Sequence, residues 1–393
     1  MTTKKTNVHL VIVTGQAQAN LIPILQLEPD VVALAVSSDM KKNADEFKEL
    51  LKRLRPELII QCFDDVPSVG LFSIEQKAAE IYQTLQNNYP QSMITYHATG
   101  GTKLMTLGFY PIFAKQNNRV IYTDTAHNQI ELVYPREQAA IPIEYALDVR
   151  TYLRSLGFSF QNSMSDNAGW TTPAQKRQQL SQWLAENSQS LDAFLGKMNK
   201  LATTALNAKE NSVVEANHFL DPAFANEYSV ALGKLSAADI FQWNNAAPNK
   251  ITFKTANNTK YIKGFWLEEY VWLMAQNLGL SEVKSNITFG RGQEATKNEM
   301  DCIAVHNNRL LAIECKTVAL VKKDAKDTNQ ILYKLEALGK GIGGLYHEKW
   351  LVSARPVPLE VEQRAKNAQI KIITPEELPN LKTHMKNWRD AKR

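Results

Sequence analysis

Two carboxylates and a lysine stand at a telling spacing late in this chain of 393 residues: Asp301, then Glu314 and Lys316. Residues 299–306 read as a strand, Asn307 and Asn308 as a turn, and residues 309–316 as the returning strand of a hairpin. Side chains alternate along a strand, so Glu314 and Lys316 share one face while Cys315 points to the other. With Asp301 on the neighbouring strand, two acids and an ammonium converge. Hard oxygen donors of this kind hold Mg2+ or Mn2+, which neutralises phosphodiester charge, acidifies a bound water and stabilises a departing oxygen. A fixed ammonium beside them offsets charge in the transition state. A Glu-x-Lys alone is usually a solvated strand face; the hairpin and Asp301 are what single this one out.

An apolar helix over residues 264–274 precedes the hairpin, packing through Phe265, Trp266, Val271, Trp272 and Met274 and carrying Glu268 and Glu269 near its start. Helix, strand and hairpin together resemble the restriction-endonuclease-like pattern PD-(D/E)xK, here Asp301 followed by Glu314-x-Lys316. The resemblance implies that Asp301 and Glu314 are direct metal ligands, helped by the Cys315 backbone carbonyl. It implies that Lys316 orients or helps deprotonate the attacking water, and that Glu268 is the extra acid of many such nucleases. Glu269 is the rival for that position, ranked second. Gln330 resembles a glutamine that follows the lysine motif in related nucleases. Gln330 and Lys334 are candidate substrate contacts, and Lys322, Lys323 and Lys326 are further lysines within reach of phosphate. Cys315 reads as core packing and His306 as a structural residue.

The first third has a different grammar. Apolar runs at 8–13, 31–36, 58–63, 93–96 and 120–122 alternate with amphipathic stretches such as 41–54. Continuous Val/Ile/Leu runs are the mark of strands buried on both faces, so the expectation is a Rossmann-like parallel sheet with helices on both sides. Ligands of such sheets bind beyond the carboxyl ends of the strands. Thr14, Gly15, Gln16 and Asn20 follow the first run, Ser37, Ser38 and Asp39 the second, and Thr99, Gly100, Gly101, Thr102 and Lys103 the fourth. Paired glycines with hydroxyls and a cation at a helix start suit phosphate. The spacing is neither a Walker A loop nor a GxGxxG fingerprint, which disfavours an ordinary ATPase or dehydrogenase.

Residues 7–145, with their polar loop after the first strand and Thr99–Lys103 turn after the fourth, resemble the CRISPR-associated Rossmann fold (CARF). Domains of that family form two-fold dimers that bind cyclic oligoadenylates made by type III CRISPR complexes. A cyclic tetra-adenylate has two-fold symmetry, so an isologous dimer would present Thr14, Gln16, Ser37, Thr99 and Lys103 twice around one ring.

The middle is less legible. Stretches 152–158, 173–195 and 201–208 look helical, and residues 250–255 and 260–263 suggest a short hairpin across 256–259. The expected organisation is a CARF sensor over 1–145, a mainly helical connector over 146–258 and a nuclease domain over 259–393. Residues 259–393 hold 22 Lys and Arg against 16 Asp and Glu, so this third carries about +6 and the remainder about −1. A basic C-terminal part suits a polyanion. Three cysteines at spacings that fit neither a disulfide framework nor a zinc site, and no apolar run of membrane length, point to the cytoplasm.

The combined expectation is an α/β protein in which cyclic oligoadenylate, most simply the tetra-adenylate, activates a homodimeric, Mg2+- or Mn2+-dependent endonuclease of type III CRISPR antiviral defence. DNA and/or RNA is its substrate, cut with low sequence selectivity. The rivals are a nucleotide-controlled nucleic-acid-binding or transcription regulator without cleavage, which the Asp301/Glu314/Lys316 set argues against, and a Rossmann enzyme acting on a small nucleotide.

Overall fold

A computed structural model describes residues 5–207, 209, 211–290, 298–318, 332, 335 and 347–391. The first unit runs β1 (Asn7–Ile12), α1 (Gln18–Leu27), β2 (Val31–Ala35), α2 (Lys41–Leu54), β3 (Ile59–Phe63), α3 (Leu71–Asn88), β4 (Met93–His97), α4 (Lys103–Phe113), β5 (Arg119–Asp124), β6 (Gln129–Tyr134) and β7 (Ile141–Pro142). Its sheet has the order β3-β2-β1-β4-β5-β6-β7. The first five strands are parallel, as the apolar runs require, and β6 and β7 add an antiparallel margin. β1 and β2 are buried almost throughout because helices cover both faces. The polar loops after β1, β2 and β4 therefore gather along one edge.

Helix α5 (Val149–Ser155) then leads into β8 (Ser159–Ser163), which does not belong to a free-standing connector. It forms the outer strand of the second sheet, ordered β17-β16-β15-β14-β13-β8. The other members are β13 (Glu282–Gly290), β14 (Asn298–His306), β15 (Arg309–Lys316), β16 (His347–Ser353) and β17 (Ile370–Ile373). Strands β8 to β15 run antiparallel to their neighbours, and β15 to β17 run parallel. Val149, Tyr152 and Leu153 of α5 are buried in one core with Val11 and Ile121 of the first sheet and Ile287, Ile303 and Leu310 of the second.

Between β8 and β13 lie α6 (Ala168–Lys176), α7 (Gln178–Glu186), α8 (Asp192–Ala205), the short strands β9 (Leu206–Asn207), β10 (Ser212–Val213) and β11 (Asn217–Phe219), then α9 (Pro222–Glu227), α10 (Ser229–Ala237), β12 (Lys250–Thr252), α11 (Ala256–Lys260) and α12 (Trp266–Gln276). The mainly helical expectation holds, but the 250–263 hairpin does not. β12 pairs with β11 instead. Thr255 caps α11 by accepting a hydrogen bond from Asn258 N at 3.2 Å, so 256–259 coils where a turn was expected. A π-turn over Tyr261–Phe265 carries the chain into α12. Phe194, Met198, Phe241 and Trp266 share a core with Cys302, Ile313 and Trp350, so these helices pack on the second sheet. Helices α13 (Leu359–Asn367) and α14 (Leu381–Asp390) complete the unit. Among the described residues no helix is long and apolar enough to cross a membrane.

Candidate active site and ligand surface

The β14–β15 hairpin turns through Asn307 and Asn308, whose φ values of 48° and 57° suit the left-handed turn that matches strand twist. Its register, with Cys302 opposite Ile313 and Ile303 opposite Ala312, sets Asp301 opposite Glu314 on one face. Asp301 Oδ2 accepts a hydrogen bond from Cys315 N at 2.6 Å, and Lys316 Nζ donates to Glu314 Oε1 at 2.8 Å. Burial alone would lower the Lys316 pKa; the Glu314 and Asp301 carboxylates outweigh it and raise it above the usual lysine value.

Helix α12 brings Glu268 to the same cluster. Burial, followed by the charge of Asp301, pushes its carboxyl up to about 8, against a hydrogen bond from Asn286 and the charge of Lys316. Among the described residues its Oε2 has no hydrogen-bond partner, and it is closed off from solvent. Glu269 turns the other way, where Arg177 donates to its Oε1 at 2.5 Å and its Oε2 at 3.3 Å. Geometry thus separates two acids that the sequence leaves adjacent, and Glu268 is the one beside Asp301.

A buried carboxylate oxygen without a partner, two further carboxylates and a strand carbonyl make a hard-donor set suited to Mg2+ or Mn2+. The N–H and C=O of one strand residue point to the same edge. The Cys315 carbonyl therefore faces the β14 side with its N–H, while the Lys316 carbonyl accepts from Ala354 N on the β16 side. Among the described residues no three His, Cys, Asp or Glu side chains already stand in ligating positions, and Asp301 is engaged by Cys315 N and Glu314 by Lys316. The Cys315 thiol is buried in the core and pushed well up by that burial, and His306 is half-buried at the hairpin edge. Gln330, Lys334, Lys322, Lys323 and Lys326 lie outside the described residues.

Along the edge of the first sheet, Gly15, Gln16, Ser38, Asp39, Gly101, Thr102 and Lys103 are exposed, Thr14 and Thr99 half-buried, and Ser37, Gly100 and Asn20 buried. Several of these side chains build the edge itself. Thr99 Oγ1 accepts from Thr123 N at 2.8 Å, and Thr102 caps α4 by accepting from Met105 N at 3.2 Å. Asn20 donates to the Ile12 carbonyl at 3.0 Å. A Cβ on Gly100 would sit 2.2 Å from that same Ile12 oxygen, which explains the first glycine; φ of +80° explains Gly101.

Two asparagines escaped the sequence reading. The Asn286 amide lowers the pKa of the Glu268 carboxyl, and Asn308 ties the hairpin turn to the first unit. Asn308 Oδ1 accepts from Leu147 N at 2.8 Å and its Nδ2 donates to the Tyr145 carbonyl at 2.8 Å. Neither stands in a motif; the only signal was the Asn307-Asn308 turn.

Comparison with known proteins bears out both resemblances. The model of the Card1 CARF domain matches residues 8–152, and that of the Card1-like endonuclease domain matches residues 255–392. No curated protein matches at a significant level. Similar solved structures include protein VC1899 from Vibrio cholerae, 23% identical with a TM-score of 0.83 over 97% of each chain. Can2 from Sulfobacillus thermosulfidooxidans, solved in complex with cyclic tetra-adenylate, is 20% identical with a TM-score of 0.76 over 98% of each chain. A type III CRISPR defence DNA nuclease activated by cyclic oligoadenylate is 13% identical with a TM-score of 0.54, matching 99% of this chain to 52% of its own. At such identities the likeness is one of fold. Residues 8–152 are a CARF domain of the Card1 type and residues 255–392 a Card1-like endonuclease domain, so the chain joins a CARF domain to an endonuclease domain.

Proposed function

We propose that the chain is a metal-dependent nuclease of type III CRISPR defence, activated by cyclic tetra-adenylate and acting in the cytoplasm as a homodimer on DNA and/or RNA with low sequence selectivity. The observation that carries the reading is the convergence of Glu268, Asp301, Glu314 and Lys316, with one carboxylate oxygen buried and unpartnered. Mg2+ or Mn2+ held by Glu268, Asp301, Glu314 and the Cys315 carbonyl would supply charge neutralisation and an acidified water. Lys316, with its raised pKa, stays protonated at neutral pH, which favours the role of a fixed cation beside the phosphodiester over that of a base. Asp301 and Glu314 orient the site through Cys315 N and Lys316 Nζ.

Gly15, Gln16, Ser38, Asp39, Gly101, Thr102 and Lys103 offer exposed groups to a cyclic oligoadenylate, with Thr14, Ser37, Thr99, Gly100 and Asn20 shaping the edge beneath. The tetra-adenylate bound by the similar Can2 supports that ligand. Val69, Leu71, Phe72 and Leu107 are exposed apolar side chains around the α3–α4 pair, a surface suited to a second copy. Ligand binding must favour the active arrangement to activate it. The test incubates the protein with Mg2+ or Mn2+ and labelled RNA, single-stranded DNA and supercoiled plasmid, with and without cyclic tetra-adenylate. Ligand-dependent cutting that Glu314→Ala and Lys316→Ala abolish is expected. Equal cutting by these variants, or no cutting with any cyclic oligoadenylate, overturns the proposal.

A further inference from the structure

β13 is nine residues long and pairs on both sides, with β14 and with β8, yet its middle residue leaves the extended conformation. Asn286 has φ of 50°, a left-handed conformation in which a residue with a side chain is strained, and it is 6% exposed. The pairs on either side, Ser285 with Cys302 and Ile287 with Met300, set it opposite Asp301. An Asn amide has two N–H groups. One donates to Ser285 Oγ at 3.1 Å, whose hydroxyl donates to the Asp301 carbonyl at 3.1 Å. The amide also lowers the pKa of the Glu268 carboxyl, which puts the two groups within electrostatic reach of each other.

Glycine would adopt this backbone with less strain, so what asparagine adds is the amide. Strain kept in a buried strand beside a charged cluster is the kind of outlier from which function is inferred. We infer that Asn286 is a positioning residue of the nuclease site, held left-handed so that its amide fixes the Glu268 carboxylate relative to Asp301. The inference rests on the metal-dependent reading above.

The decisive set is Asn286→Gly, Glu268→Gln and the double variant. Mn2+ binding to the free protein is measured by titration calorimetry without nucleic acid, alongside strand cleavage and thermal melting. Asn286→Gly melts at or above the wild type in the absence of metal, because glycine relieves the left-handed backbone. It binds Mn2+ about 10- to 100-fold more weakly, as loss of an orienting partner does at metal sites, and lowers kcat comparably with KM for the strand unchanged. Because Asn286 acts through Glu268, adding Asn286→Gly to Glu268→Gln produces no further loss. Mn2+ binding by Asn286→Gly equal to wild type, or a loss that adds in full to that of Glu268→Gln, refutes the positioning role alone. A wild type that neither binds Mn2+ nor cuts removes the metal-dependent reading and this inference together.

Discussion

Glu268 gives the protein a pH dependence opposite in sign to that of an ordinary paired carboxylate. Its folded pKa of about 8 lies above the ordinary 4.5, with burial the larger cause and Asp301 the next. The folded state therefore holds a proton that the unfolded chain has released. Stability from this group is fully present below pH 4.5 and is lost as pH rises through about 8. At about 1.4 kcal/mol per pH unit the whole interval corresponds to ~5 kcal/mol. A buried carboxyl in a charged cluster does not titrate independently, so that figure is a ceiling. His9 and His97, buried against each other with pKa values depressed by burial, contribute in the opposite sense, but only below the ordinary histidine value of 6.5. Between pH 6.5 and 8 the two histidines no longer contribute, and the Glu268 contribution amounts to about 2 kcal/mol. Urea denaturation of metal-free protein at pH 6.5 and 8, wild type against Glu268→Gln, measures it. The wild type should lose about 2 kcal/mol more than the variant across that interval, and Mg2+ at pH 8 should restore stability to the wild type far more than to Glu268→Gln. Parallel pH profiles for the two proteins would refute the reasoning.

Glu269→Gln should cost about 3–5 kcal/mol in denaturant unfolding, because it strands the Arg177 guanidinium in a pocket that covers all but 2% of the Glu269 side chain. Gly100→Ala must displace the Ile12 carbonyl or Asn20, 2.2 and 2.9 Å from the new Cβ; a loss of about 1–3 kcal/mol in stability is expected, with weaker cyclic tetra-adenylate binding by calorimetry. Asn308→Ala removes both bonds to residues 145 and 147, costing about 2 kcal/mol, and should shrink the stimulation of cleavage by ligand while leaving ligand affinity within a few-fold, as a cleavage assay with paired binding titrations would read.

The parts of this molecule that were legible beforehand are those in which local pattern and tertiary role agree. The Val-rich runs of β1 and β2 are buried on both faces, and α2 has the amphipathic period of its 41–54 stretch. β6 escaped because an antiparallel margin is only half covered and its residues are mostly intermediate in burial. β13 escaped for a different reason: Asn286 breaks the alternation that would announce a strand. The 250–263 stretch misled because its turn-like Asn257 and Asn258 serve a helix capped by Thr255. In the site, Asp301, Glu314 and Lys316 were visible because a two-residue turn fixes which residues face each other. Successive helix positions point about 100° apart, so Glu268 and Glu269 carry no mark of which meets Asp301 until the Arg177 pocket is seen. Thr99 and Asn20 had the right types for a ligand but are engaged by Thr123 N and the Ile12 carbonyl.

The position of β8 separates the unit of folding from the unit of sequence recognition. The endonuclease match begins at residue 255, while the strand that closes its sheet lies at Ser159–Ser163, upstream of the whole helical segment. A fragment cut at that match would leave β13 with a bare backbone edge along Ile287–Gly290 and would strip Phe194, Met198 and Phe241 from the core beneath α12. An unpaired hydrophobic edge of this kind is a template for intermolecular strand addition. Severed from its upstream strand, the domain would expose an aggregation seam; left intact, the chain cannot complete its second sheet until strands on both sides of the helical segment have met, so the nuclease fold closes late in synthesis and only as part of the whole.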